Sequence, residues 1–556
     1  MTAIRQGKRF WKQGEPLVWA TGGTLTFVLL ATALLIGVVL FNGLGVFWPS
    51  AVAEITLTDG TKLFGQRVQE DTHAETGAVS IQFKTANREL DPQRLDFRWI
   101  PVDSIQELTY PADVTVLERM ENGVFFGVVE RVETADLEVS VETPVFDRLE
   151  AATAAFHRKR AQYVAPLVAE IKSLNGELQS IQNALLKTRY RRKKMTDAAE
   201  GSTPEVMELD SQLAGLEVRE TELKAGADEL ANEQRTIEAD LRQAQAVLKL
   251  PTQQTHTVAL ADIVRAWQPN SMGVVSKCWH YASKIWELLW AEPRESNTEG
   301  GLFPAIFGTV TLVFLMAITC FPLGVLAGVY LGEYAKEGPL VKIVRVAVNN
   351  LAGIPSIVYG IFGLGFFVYG VGGTLDRWLY PHLVDANKMV FGTGGLLWAS
   401  LTLGLLTVPV VIVSTEEALR TIPSGVRAGS LALGATKFQT LMRVLLPMSS
   451  PGIMTGFILA MARAAGEVAP LMITGVVKLA PTLPFDGQYP FFHPDRKFMH
   501  LGFHIFDIGF QSPNVEASKP MVFVTTFLLV VIVLVMSSVA IYLRNSMRKR
   551  FQSRGI

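Results

Sequence analysis

The sequence predicts a mainly α-helical protein, a polytopic bundle of six membrane-spanning helices into which a β-rich module and an antiparallel coiled-coil hairpin are inserted. Three observations predict it. The 556-residue chain is 49% hydrophobic with a mean hydropathy of +0.27, high for a soluble protein. Six apolar runs, at residues 17–47, 303–331, 341–369, 389–414, 452–477 and 521–543, are each long enough to cross about 30 Å of hydrocarbon as a helix. Between the first two lies a polar stretch of roughly 250 residues that carries sustained heptads. The chain therefore divides into an N-terminal segment with the first span (1–50), a β-rich region (51–145) and a coiled-coil hairpin (146–250). A return strand with an amphipathic helix (251–300), a five-span core (301–545) and a basic tail (546–556) follow.

Charge placement sets the expected topology. Arg5, Lys8, Arg9 and Lys12 precede the first span, and Arg544, Arg548, Lys549, Arg550 and Arg554 follow the last. By the positive-inside rule both termini are cytoplasmic, which six spans permit, and the large insertion is extracytoplasmic. A net charge of −1 offers no case for a nucleic-acid partner; lipid is the expected surrounding. Ala51-Val52-Ala53 has the small-x-small form of a processing site, but the preceding apolar run far exceeds a signal-peptide core, so the first span reads as an uncleaved anchor. Cys278 in the insertion and Cys320 in a span are not expected to form a disulfide.

Within the insertion, alternating β-branched segments such as Glu54-Ile55-Thr56-Leu57-Thr58, Ser80-Ile81-Gln82-Phe83 and Val139-Ser140-Val141 predict short antiparallel strands. Turn signals stand at Asp59-Gly60 and Asn122-Gly123. LTDGTKLFG echoes RMENGVFFG, and WIPVDSIQEL echoes TVALADIVRAW, which predicts two small β-modules with the second split open. What splits it follows heptad spacing through Val164, Leu167, Ile171, Leu174, Leu178, Ile181 and Leu185, then again from Leu209 to Leu248. Gly201-Ser202-Thr203-Pro204 between them predicts a helix stop and restart, and so a hairpin.

Near the hairpin's tip, Lys187, Arg189, Arg191, Arg192, Lys193 and Lys194 form a basic run, either a solvated arm end or a docking site for an acidic partner or anionic lipid. Residues 272–290 then recur apolar at helical spacing with three tryptophans, the pattern of a helix lying in the membrane interface.

In the core, Pro355 interrupts an otherwise plain apolar helix. Arg463 and Glu467 stand i and i+4 in an apolar run, where ionisable side chains are costly. Two readings stay open for them. They form a static pair that bonds neighbouring helices, or Arg463 offers a transient positive site to an oxyanion, with a planar fork suited to bidentate contact, while Glu467 tempers it. No phosphate-binding loop, metal spacing or nucleophile motif occurs, so any energy source lies in another chain.

One spacing is more specific. Ala428-Gly429-Ser430, three residues, Gly434, nine residues, then Val444-x-Leu446-Pro447 resembles the cytoplasmic coupling-loop motif of ABC importer permeases, here spanning 415–449 and including Arg427. Ala428 stands where that motif carries Glu, so a contact made by that carboxylate does not transfer. GIPSIVYGIFGLGFFV at 353–368 and ARAAGEVAP at 462–470 closely resemble signatures of phosphate-specific ABC transporter permeases, and EEALRTIP at 416–423 resembles the A-type subunit. The resemblance covers the first span and residues 301–543 but not the insertion.

It implies a type I, MetI-like importer transmembrane domain in the bacterial inner membrane, not an enzyme itself and without a cofactor of its own. The implied partners are a C-type permease subunit, two ATPase subunits that bind ATP, and an extracytoplasmic phosphate-binding protein. Two alternatives remain: a permease for another oxyanion such as sulfate or molybdate, and a membrane-anchored sensor or scaffold acting through the coiled-coil arm.

Overall fold

The computed structural model describes residues 15–72, 78–90, 96–134, 143–198, 204–294, 297–487, 491–512 and 515–552. Arg5, Lys8, Arg9, Lys12 and Arg554, the strand expected at 139–141, and the break expected at Gly201, Ser202 and Thr203 lie outside the described residues.

Among the described residues, six helical segments are long and apolar enough to span a bilayer: Leu17–Gly45, Phe303–Tyr334, Ser356–Leu379, Leu396–Arg420, Lys437–Gly466 and Ser518–Ser546. Three depart from the expected bounds. The run at 341–369 divides, because Pro355 has no N–H to give the Leu351 carbonyl. Residues Pro339–Leu351 form a separate amphipathic helix with no buried residue, and the span starts afresh at Ser356. The Leu351 carbonyl instead accepts from the Tyr359 hydroxyl at 2.7 Å and from the Ile354 amide at 3.2 Å. The fourth span starts and ends six or seven residues later than the hydropathy run at 389–414. The fifth starts in the polar loop at Lys437 rather than at 452 and ends at Gly466 rather than at 477.

Spans two and four form the closest pair in the bundle. A Cβ added to Gly404 would fall 1.6 Å from Cys320 Sγ, and one added to Gly328 would fall 2.6 Å from Thr415 Cβ, so small residues set how near the backbones come. Leu312, Met316, Leu403, Ala464 and Leu471 close the core between spans two, four and five. The first span leans along the sixth, with Gly43 against the Phe523 carbonyl, and leaves most of its apolar surface outward.

The insertion holds two five-stranded antiparallel sheets. The first comprises β1 (Val52–Leu57), β2 (Lys62–Thr72), β3 (Val79–Lys84), β4 (Phe97–Pro101) and β5 (Ile105–Thr109), in the order 4-3-2-1-5. The second comprises β6 (Val114–Arg119), β7 (Val124–Glu133), β8 (Gln245–Lys249), β9 (Thr255–Ala259) and β10 (Ile263–Trp267), in the order 9-8-7-6-10. These are one topology used twice, and each echo in the sequence falls on equivalent strands. Gly60 (φ +84°) closes the first hairpin, and Asn122 (φ +65°) with Gly123 (φ +67°) closes its counterpart, in a backbone region that L side chains other than Asn and Asp rarely adopt. Val52, Phe64, Val114, Val116 and Phe126 form one buried cluster joining the two sheets.

The coiled coil, α1 (Val145–Ala198) and α2 (Pro204–Leu241), leaves between β7 and β8, the position that in the first unit lies between β2 and β3. Its root is fixed by Leu149, Ala152 and Phe156, buried in the second sheet's core. The heptads do not run to 248 as a helix. Leu248 lies in β8, paired with Val129 and His256 on its two sides and fully buried. Pairing on both edges overrides a spacing that continues by coincidence. At 1.5 Å per residue the longer helix extends about 80 Å. Its far end returns to the bundle, where Lys193 Nζ meets Asp385 Oδ1 at 2.6 Å on the short helix Pro381–Asp385 between spans three and four. Arg189 and Arg192 pair with Glu217 and Asp210 of α2, so three of the six basic residues are engaged within the chain.

Residues 274–290 form α3 (Val274–Trp290), with Val275, Trp279, Trp286 and Trp290 exposed on one face. The opposite face, through His280, Lys284 and Glu287, packs toward the sheets and the hairpin of β11 (Pro293–Arg294) and β12 (Glu299–Gly300). Cys278 and Cys320 are both free.

Candidate functional site

By the alternation of six spans, the segment after Arg420 lies at the end of the bundle opposite the inserted domain. Helix α4 (Ser424–Ala432) comes first and its chain turns at Gly434, whose φ of +84° would cost a residue with a Cβ about 1–2 kcal/mol. A second helix begins at Lys437 behind a capping box, in which Thr436 Oγ1 accepts from the Gln439 amide and the Gln439 side chain accepts from the Thr436 amide. Ser430 and Thr440 hydroxyls meet at 2.9 Å and tie the two helices together. Leu446 and Pro447 lie beyond the turn, where the second helix enters the bundle.

Arg427 anchors this loop. Its guanidinium donates to Glu333 at 2.6 and 3.1 Å and to the carbonyls of Ile422 (2.6 Å) and Leu419 (2.7 Å). Ala428 and Gly429 face outward. A second network lies beside it, with Arg345 bridging Glu416 (2.8 Å) and Glu337 (2.9 Å) while Arg420 also holds Glu416. The Arg345 hydrogen bond holds the Glu337 carboxyl below its ordinary range. Among the expected loop residues, Arg427 is thus a fastener to the bundle. The outward crest belongs to residues that the motif did not single out, Leu433 (90% exposed), Phe438 (63%) and Met442 (49%). Their signal in the sequence was apolar side chains in an otherwise polar loop.

Arg463 and Glu467 do come together, Nε to Oε1 at 3.3 Å, but not on one continuous helix. The fifth span ends at Gly466, and Glu467 is extended (φ −79°, ψ 134°) before a short helix, α5 (Ala469–Thr474), begins. Pro470 cannot donate to the Gly466 carbonyl, which breaks the helix there. The pair therefore sits across an opened helix end, with both side chains partly accessible at 33% and 20%. A break of this kind exposes backbone groups and so requires protein or a water-filled cavity around it.

Facing this break is the start of the third span. Gly360 lies against Pro470 so closely that an added Cβ would be 2.8 Å from its Cα. The two strings at 353–368 and 462–470, far apart in sequence, thus form a single junction. That convergence was not legible from the sequence.

The fifth span runs from Lys437 to Gly466, through a π-helical turn at Leu441–Leu445, and connects the loop to this junction. Its 30 residues correspond to about 45 Å of helix.

The family described as "Binding-protein-dependent transport system inner membrane component" matches residues 322–549. The chain is 32% identical over 225 residues to "Probable ABC transporter permease protein YqgI" of Bacillus subtilis (strain 168), covering 39% of this chain and 70% of that protein. It is 35% identical over 187 residues to "Phosphate transport system permease protein PstA" of Mycobacterium leprae (strain TN), covering 34% of this chain and 54% of that one. A solved structure, "Inward facing conformations of the MetNI methionine ABC transporter: CY5 native crystal form", aligns at 20% identity and TM-score 0.32, over 48% of this chain and 98% of that chain. The chain spans between about half and 70% of the length of the curated relatives that it matches.

Proposed function

This chain belongs to the family of binding-protein-dependent ABC transporter permeases, and we propose that it is the A-type permease subunit of an importer of inorganic phosphate. Both termini are then cytoplasmic and the insertion extracytoplasmic in a bacterial inner membrane. Its partners are a C-type permease subunit, two ATPase subunits that bind ATP, and an extracytoplasmic phosphate-binding protein. The chain itself needs no cofactor and is not an enzyme.

The observation that carries this reading is the single helix from Lys437 to Gly466 that joins an outward apolar crest to an ion-paired break. In this reading Leu433 and Phe438 seat in a cleft of the ATPase, the turn at Gly434 passes its movement into the fifth span, and Arg427 passes it to the ends of the second and fourth. At the other end the movement opens or closes the junction of Gly360 with Pro470 and changes the spacing of Arg463 from Glu467. Arg463 then offers phosphate a forked cationic contact, and Glu467 competes for the same guanidinium, which keeps affinity low enough for release. Similarity to relatives whose names include phosphate transport, at 33–35% identity, supports the choice of anion.

The test is uptake in a reconstituted complex with the ATPases and binding protein. Arg463→Gln should abolish phosphate uptake while co-purification of all subunits persists. Normal uptake by that variant would overturn the role of Arg463, and competition by sulfate or molybdate in place of phosphate would overturn the substrate.

A further inference from the structure

A cavity of about 580 Å³ lies between the two sheets, α3 and the ends of the first and sixth spans. Its floor is apolar, made by Phe41, Phe47 and Trp48 at the end of the first span and by Met521 and Phe523 at the start of the sixth. Its walls are polar, with Lys84 of β3, Glu118 of β6, Trp267 of β10, Lys284 of α3, Glu299 of β12 and, in the first turn of the sixth span, Lys519. By length and composition the first span ends at Gly45 and the sixth begins at Ser518, both beside this floor. The seam between floor and wall therefore falls where a bilayer changes from acyl chains to headgroups.

The charges behind the wall do not balance. Glu118 holds Lys284 and, at 2.6 Å, Arg294; Glu287 holds Arg294 at 2.7 Å and both Lys284 and Arg265 at 3.4 Å. Three cations thus share two carboxylates. The third acid, Glu299, has its carboxyl pushed up by burial and lies near a fourth cation, Lys84, which acts in the opposite direction. His280 beside them is held neutral, with its pKa lowered to about 4 by burial and by the neighbouring Arg265 and Lys284.

Of the described buried polar atoms without a partner, the donor Trp267 Nε1 and the acceptor Glu299 Oε2 belong to side chains that line the cavity, while the donors Arg265 Nη1 and Arg294 Nε stand in the cluster behind it. Buried donors left unsatisfied each cost free energy, and an acceptor-rich anion is the chemistry that relieves them. Lys84 and Lys519 add two further positive side chains to the cavity wall.

We propose that this cavity binds one anionic glycerophospholipid from the leaflet on the side of the inserted domain, its phosphate against Lys84, Lys519 and Lys284 and its acyl chains along Phe41, Phe47, Met521 and Phe523. Free phosphate shares the headgroup's chemistry, but it has no use for the apolar floor and fills little of the volume. The lipid would seal the joint between the membrane bundle and the sheets, and its loss would loosen the inserted domain from the spans. The site stands apart from Arg463 and rests on neither the substrate nor the partners proposed above.

Native mass spectrometry of the full chain, after exchange into detergent supplemented with phosphatidylglycerol or phosphatidylcholine, tests this. One phosphatidylglycerol should remain bound, and phosphatidylcholine should not. The K84E/K519E variant should lower the bound fraction by at least roughly tenfold, given the usual contribution of basic residues near anionic lipid. Lys84→Gln, a milder change that leaves the Glu118 cluster intact, should lower it roughly fivefold and serves if the double variant does not fold. A third arm adds inorganic phosphate alone and follows protection of Lys84 from amine acylation. Equal retention of phosphatidylglycerol by the variants, or equal retention of phosphatidylcholine by the unaltered chain, would overturn the proposal. So would protection of Lys84 by inorganic phosphate without any retained lipid.

Discussion

Replacing Arg427 by Ala removes a guanidinium that makes four hydrogen bonds, two to the Glu333 carboxylate and two to backbone carbonyls at the end of the fourth span, when one contact per acceptor is counted for Ile422 and Leu419 and the Nε and Nη2 contacts for Glu333. A hydrogen bond to a charged group contributes about 1.5–3 kcal/mol, but bonds sharing one side chain do not add, and the pair is partly solvated, with 26% of the Arg427 side chain and 15% of Glu333 exposed. A local cost of about 2–4 kcal/mol is therefore expected, part of it from leaving the Glu333 charge without its partner. That corresponds to roughly 30- to 1000-fold more frequent opening of the loop.

Amide hydrogen exchange over residues 419–433 reads this directly, since exchange in a helix reports local opening. Arg427→Lys keeps the charge but not the fork and should recover only part of the protection. Exchange changed by less than roughly threefold in Arg427→Ala would show that the loop is held by its other contacts, such as Ser430 with Thr440 and the buried Leu441 and Leu445.

Other outcomes follow from the same structure. Gly434→Val places a β-branched residue at φ +84°; it should weaken ATPase coupling while α4 stays folded, measured as uptake per ATP hydrolysed. Lys193 and Asp385 are 58% and 40% exposed, so Lys193→Glu should weaken docking of the arm tip by about 0.2–1 kcal/mol, less in high salt. The K193E/D385K pair should restore it, read by the yield of a cysteine crosslink between the arm and the helix Pro381–Asp385. His280 is neutral in the folded protein down to about pH 4, whereas in the unfolded chain it takes up a proton below its ordinary 6.5. Stability of the inserted domain should therefore be unaffected by this group above that value and fall as pH drops from 6.5 toward 4. Glu118, held low by Lys284 and Arg294 despite its burial, loses its contribution in the same acid direction. His280→Gln should flatten the upper part of that slope, and an unchanged slope in thermal unfolding would exclude His280 as its source.

Much of this molecule was legible from spacing alone. Six apolar runs imply six crossings because a bilayer leaves no other solution for about 20 apolar residues in succession. The repeated β-unit was visible in LTDGTKLFG and RMENGVFFG because a tight hairpin constrains residue type locally, at Gly60 and Gly123. Gly434 and its distance to Pro447 were likewise local signals.

Other features depended on partners distant in the chain, and no local pattern could supply them. Leu248 continues a heptad on paper, yet two neighbouring strands claim it for a sheet. Arg463 and Glu467 are four residues apart in either description and Pro470 marks the break between their helix and the next, but only the packing of Pro470 on Gly360 places that break against the third span. The basic run at the arm's tip reads as a free surface until Asp385, 192 residues further on, meets Lys193. The sequence by itself determined which segments are apolar, which turn and which repeat, because those properties belong to single residues and their near neighbours. Which segment faces the break at Glu467, where the arm lands and where cations outnumber carboxylates were decided by tertiary structure, because each depends on groups that only folding brings within reach.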